Sequence, residues 1–152
     1  MTVTTDEQRA NLIEAGQHLA AVLRALEEAV APGVTTESLD DLAEKMIRDF
    51  GDEPCFLGYT PEGAGRPYPA TLCVSINDEI VHGIPNEIHK VLSEGDIVGL
   101  DLGLSHKGVI VDAAITVAVG KVSDDSRRLM DVTKAALDAG IAAAKPGRHI
   151  GD

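Results

Sequence analysis

Apolar residues recur at helical spacing from early in the chain. Leu12, Leu19, Val22, Leu23, Leu26 and Val30 share one face until Pro32-Gly33 stops the run. Thr5 followed by Gln8 has the form of a capping box, and Asp6 and Glu7 suit the positive end of a helix dipole. A second helix is capped by Thr35 or Thr36, turns Leu39, Leu42, Ala43, Met46, Ile47 and Phe50 to one side, and ends at Gly51. There the periodicity breaks. Residues 51–70 hold Pro54, Pro61, Pro67 and Pro69 with three glycines beyond Gly51, which predicts a long irregular loop, of a length more often functional or mobile than idle.

Period-two and continuous apolar runs follow. Thr71–Ile76 reads as a strand, Asn77-Asp78-Glu79 as a turn, and Ile80-Val81 as a short strand returning toward His82. Asp96–Leu104 and Val109–Gly120 predict two further strands, and Ser126–Ala144 a helix that ends before Pro146-Gly147. This last stretch echoes the first. "LRALEEAVAPGVTTESLD" (23–40) lies over "LDAGIAAAKPGRHIGD" (137–152), with the Pro-Gly pairs 114 residues apart. Pro-Gly is a common helix stop, but a half-finished repeat of this kind is what a truncated two-repeat fold would look like.

Composition narrows the class. The 152 residues include no Trp, two Tyr and two Phe, so the core has to be aliphatic. A net charge of −12 argues against gripping nucleic acid by its phosphates or resting on anionic lipid. No apolar run reaches the ~18 residues of a membrane span. The opening MTVTTDEQR lacks the form of a signal peptide, and Cys55 and Cys73 support neither a zinc-finger pattern nor a disulfide framework. A cytoplasmic location is the expectation.

Chemistry enters with "GLDLGLSHKGVIVDAAITVAVG" (99–120), where two apolar strands each carry one aspartate, Asp101 and Asp112. An ionised carboxylate among strand apolars is costly unless compensated. Ser105–Gly108 is the expected turn. A hairpin symmetric about His106-Lys107 sets the two aspartates directly opposite on one face, with Cβ atoms ~4.5–5.5 Å apart. A bridging divalent cation resolves the repulsion, and a single shared proton is the alternative. A third reading has Asp101 at a strand end facing solvent, with a bulge at Gly108 shifting the register. In "CVSINDEIVHGIPNE" (73–87), His82 follows a strand, and Gly83 and Pro85 fix the backbone around it. His18, His89, His106 and His149 are weaker candidates, His106 lying at the expected hairpin tip and His89 in a charged linker.

"SINDEIVHGIP" followed by "GDIVGLDLGLSHKGVIVDAAITVAVG" closely resembles the type I methionine aminopeptidases, metallopeptidases of the pita-bread fold, over nearly the whole chain. The resemblance implies an α+β architecture, the N-terminal half of that fold, with an antiparallel sheet covered by helices. Residues 1–152 would form a single, incomplete catalytic domain: the first pseudo-repeat plus the start of a truncated second. It also implies removal of the N-terminal methionine from nascent proteins by metal-activated water. Asp101 and Asp112 match two ligands of a centre of two divalent ions (Co, Mn, Fe or Zn). His82 matches the catalytic histidine that binds substrate and stabilises the tetrahedral intermediate. Cys73, Tyr59 and Tyr68 match the lining of the methionine pocket, and Cys55 aligns near it.

The partner implied is the N-terminal methionine of nascent peptides, with transient ribosome contact, no nucleic-acid binding and no membrane. Two departures stand out. The loop "GYTPEGAGRPYP" is longer than the family pattern, and the family's remaining ligands, a histidine and two glutamates from the second half, have no match here. A fragment of such an enzyme would therefore be inactive alone. A binding module on the same half-fold and a peptidase of Xaa-Pro bonds are the rival readings.

Overall fold

A computed structural model describes residues 2–151. The first helix, α1 (Asp6–Ala29), is capped as its sequence demands: Gln8 N–H donates to Thr5 Oγ1 at 3.1 Å, and Thr5 N–H donates back to Gln8 Oε1 at 3.3 Å. Helix α2 (Thr36–Asp49) takes Thr35 as its cap, because Thr36 is spent elsewhere. The buried Thr36 hydroxyl donates to Pro85 O at 2.7 Å and so ties α2 to the loop after His82.

Among the described residues four strands form one antiparallel sheet: β1 (Glu53–Pro54), β2 (Leu72–Ile76), β3 (Ile97–His106) and β4 (Val109–Ala118). β4 pairs along the whole of β3, while β2 and the two-residue β1 share its other edge end to end. Side-chain alternation then divides the sheet into two faces. Val98, Leu100, Leu102 and Leu104 of β3, with Leu72, Val74 and Val119, face the helices and are buried. α1 packs over β3 and β4, and α2 over β2 and β1. The core they enclose with Leu19, Val22, Leu26, Leu39 and Ile47 is wholly aliphatic. Gly99, Asp101 and Gly103 face the other way.

Three details depart from the sequence expectation. Ile80-Val81 is not a strand: the segment is a loop with Ile80 86% and Val81 61% exposed, and Val74 N–H is taken by Gly83 O instead. β1 forms inside the stretch expected to be irregular, where Cys55 N–H also reaches Gly103 O. The hairpin turn is shorter than expected. Strands run through His106 and Val109, leaving Lys107 (φ 47°) and Gly108 (φ 80°) as a two-residue turn with both residues left-handed. Helix α3 (Asp124–Ala143), capped by Ser123, buries no residue, and Leu129, Val132, Leu137 and Ile141 stand 59–63% exposed.

Candidate metal centre and binding cavity

The short turn sets the register of the two aspartates. Asp101 pairs with Ala114 and Asp112 with Gly103, so the carboxylates are diagonal neighbours rather than direct partners. Parity is preserved, and both occupy the open face of the sheet. The expectation of direct opposition is thus corrected by two positions, because a left-handed Lys107 moves the hairpin's centre to Lys107-Gly108. Burial pushes the Asp101 carboxyl above its ordinary range, repulsion from Asp112 pushes it further, and His82 pulls it back. A half-buried acid facing another acid is the electrostatic signature of a site that gains from a cation.

Gly103 makes room for this arrangement. It stands opposite Asp112, and a Cβ there would lie 3.2 Å from Phe56 Cε1 and 3.4 Å from Cys55 Cβ. Phe56 and Cys55 therefore close over the strand beside the carboxylates. On the other side Cys73 pairs with Asp101 on the same face. Tyr68 fixes that corner: its hydroxyl lies 3.1 Å from both Leu72 O and Cys73 Sγ. Burial, first, and the Cys73 contact push the Tyr68 phenol well above its usual range, and burial likewise raises the thiols of Cys73 and Cys55. All three are neutral at physiological pH.

His82 arrives from the loop beyond β2 in a left-handed conformation (φ 61°). What holds it there is Gly83. Its carbonyl accepts from Val74 N–H at 2.9 Å, and its N–H donates to Ser75 Oγ at 3.1 Å. The approach is so close that a Cβ on Gly83 would sit 2.0 Å from Val74 O. β2 itself is anchored by buried Asp40 of α2, whose Oδ1 accepts from Thr71 and Leu72 N–H at 2.9 and 2.8 Å.

These elements enclose an open cavity of about 580 Å³. Asp101 and Asp112 line it together with His82, Cys73, Tyr68, Tyr59 and Cys55, so every residue singled out from the sequence for this site borders one space. Sequence reasoning missed Phe56, Pro61, Ile84 and Ile110, which add to its apolar wall. Ile110 was legible in principle, lying two residues before Asp112 on the same strand face. Phe56 was not, since its place depends on β1. The donor set fits a divalent cation: two carboxylates on one face, with further coordination positions open.

The sequence profile described as metallopeptidase family M24 matches residues 10–152. The methionine aminopeptidase of Aquifex aeolicus is 45% identical over 139 residues, covering 91% of this chain and 54% of that protein. Methionine aminopeptidase 1 of Mycobacterium tuberculosis is 46% identical over 138 residues, covering 91% and 49%. Among solved structures, the methionine aminopeptidase of Thermotoga maritima superposes with a TM-score of 0.91 at 33% identity, covering 100% of this chain and 58% of that one. The chain spans about half the length of the relatives it matches. Its α+β sheet-and-helix layer is that of the pita-bread fold, and among the described residues no helix is long and apolar enough to cross a membrane. With the family profile spanning nearly all of its residues, the chain belongs to metallopeptidase family M24.

Proposed function

We propose that this chain carries the first half of the active site of a metal-dependent methionine aminopeptidase, which removes the N-terminal methionine of nascent peptides. The observation that carries the reading is the convergence of Asp101, Asp112 and His82 on one cavity with a largely apolar wall. Asp101 and Asp112 would hold divalent ions, two in the full site, of the Co, Mn, Fe or Zn group that carboxylate-rich sites accept. Such ions lower the pKa of water and polarise a peptide carbonyl. His82, at the cavity wall, hydrogen-bonds the charge that develops on the scissile group. Cys73, Tyr59 and Tyr68, with Phe56 and Ile110, receive an unbranched thioether side chain, which packs well against aromatic edges. Neutral Cys73 and Tyr68 add no charge of their own to that pocket.

Residues 1–152 then correspond to a first pseudo-repeat and the start of a second, with the remaining histidine and glutamates of the family pattern supplied from outside them. Cytoplasmic location and transient contact with the ribosome belong to the same reading. The test joins residues 1–120 to the matching second half of the Aquifex aeolicus relative and assays Met-Ala-Ser and Ala-Pro peptides with Mn²⁺ or Co²⁺. Methionine release is expected from Met-Ala-Ser alone, falling at least about a hundredfold in Asp101→Ala or Asp112→Ala. The 152-residue chain by itself should turn over more than roughly tenfold slower than a full-length relative, having too few ligands to orient water. A folded chimera whose activity survives loss of Asp101 contradicts the reading, as does one that cleaves only Ala-Pro.

A further inference from the structure

On the opposite, helix-facing side of the sheet, three side chains from three separate segments converge. His18 of α1, Asp52 just ahead of β1 and His106 at the end of β3 bring one ligand atom each within 4.8 Å of one another. Asp52 lies between the rings, its Oδ2 2.8 Å from His18 Nδ1 and its Oδ1 2.5 Å from His106 Nδ1. The Asp52 side chain is 1% exposed and that of His106 6%. A carboxylate so buried needs hydrogen-bond donors or positive charge to offset its desolvation. Among the described residues its only ion-pair partners are these two imidazoles.

Two further features are those of a ligand shell. His106 Nε2 is buried and lacks an aligned hydrogen-bond partner, yet it lies 3.0 Å from Glu14 Oε2, which Lys107 Nζ also holds at 2.9 Å. A carboxylate behind an imidazole keeps a proton on the far nitrogen and leaves the near one as a lone-pair donor, as in carboxylate–histidine–zinc triads. The His18 ring is stacked on Phe50 (centroids 4.3 Å apart, 6° between planes) and stands edge-on to His106 at 5.1 Å. Both rings are thus locked with Nδ1 toward Asp52. The His18 side chain, 19% exposed, leaves a way in from solvent.

We propose that His18, Asp52 and His106 bind one divalent transition ion of the zinc class, through Nδ1 of each ring and a carboxylate oxygen, with water as the fourth ligand. Two nitrogens and one oxygen suit Zn²⁺ or Co²⁺ better than Mg²⁺ or Ca²⁺. Binding displaces the proton on Nδ1 of each ring, to solvent from an imidazolium or to Nε2 of a neutral ring, while His106 keeps a proton on Nε2 facing Glu14. The ligand atoms need only part from hydrogen-bonding distance to the ~3.3 Å edge of a tetrahedral site. The ion would staple α1 to both strands at one end of the β1–β3 pairing. It is independent of Asp101 and Asp112, which occupy the other face.

The test therefore silences that face. An Asp101→Asn/Asp112→Asn chain is titrated with Co²⁺ and followed by the visible bands of four-coordinate cobalt. The expected result is one equivalent bound, displaced by Zn²⁺ and weakened at least tenfold by His18→Gln or His106→Gln. In the unsubstituted chain, one equivalent of Zn²⁺ should shift the ¹⁵N resonances of Nδ1 in His18 and His106, a readout that needs no substitution to fold. Absence of cobalt binding, binding that survives both glutamine variants, or Zn²⁺ shifts confined to other histidines would each overturn the proposal.

Discussion

Single residues decide whether the candidate site holds its shape. Gly83 is the sharpest case, because a methyl group there would overlap Val74 O, which backbone cannot vacate cheaply. Gly83→Ala should destabilise the fold by about 1–3 kcal/mol and shift the His82 ring resonances in NMR spectra, whereas Gly65→Ala, with open space around it, should do neither. His106 offers a pH test. Its pKa is raised chiefly by the Asp52 carboxylate and further by Glu14, against the opposing effect of burial. A histidine whose folded pKa is raised stabilises fully below its unfolded value, ~6.5, and loses that contribution as pH rises through the folded value. With chelator present, the urea midpoint of the wild-type chain relative to His106→Gln should therefore be larger at pH 6 than at pH 9. A constant difference would show that His106 is not ion-paired as described. The aspartates were legible as isolated carboxylates in apolar strands, and His82 through the Gly83 and Pro85 that fix the backbone around it. His106 was not, because its inward direction follows from a register that the sequence leaves open.

At the scale of elements, the β3–β4 hairpin is the device that brings the carboxylates together. A two-residue turn with both residues left-handed matches the strand twist and fixes every pairing behind it. A Cβ on Gly108 would meet nothing within 4 Å, so Gly108→Ala encounters only backbone strain. It should cost about 1–2 kcal/mol in denaturant unfolding, while replacing Gly51, outside the hairpin, should leave the Asp101–Asp112 approach unchanged. Helices and long strands were legible from periodicity and capping residues alone, as Thr5–Gln8 and Pro32-Gly33 show. The turn length was not, since Ser105–Gly108 contains several residues that suit either a two- or a four-residue turn. Nor was β1, whose two residues pair only because β3 extends past β2.

For the whole molecule, one sheet serves two purposes. Its helix side is an aliphatic core, and its open side carries paired carboxylates that repel. Such a face trades stability for function, and a cation that binds there should relieve the repulsion. Mn²⁺ prefers carboxylate oxygen to imidazole, so its binding, followed by electron paramagnetic resonance of the free ion, reads the open face. The expected result is weak binding by the wild-type chain, lowered by roughly tenfold or more in Asp101→Asn and Asp112→Asn. Both variants should melt no lower than wild type in chelator, because a repulsion has been removed. Mn²⁺ binding that is indifferent to both substitutions would contradict a metal centre on this face.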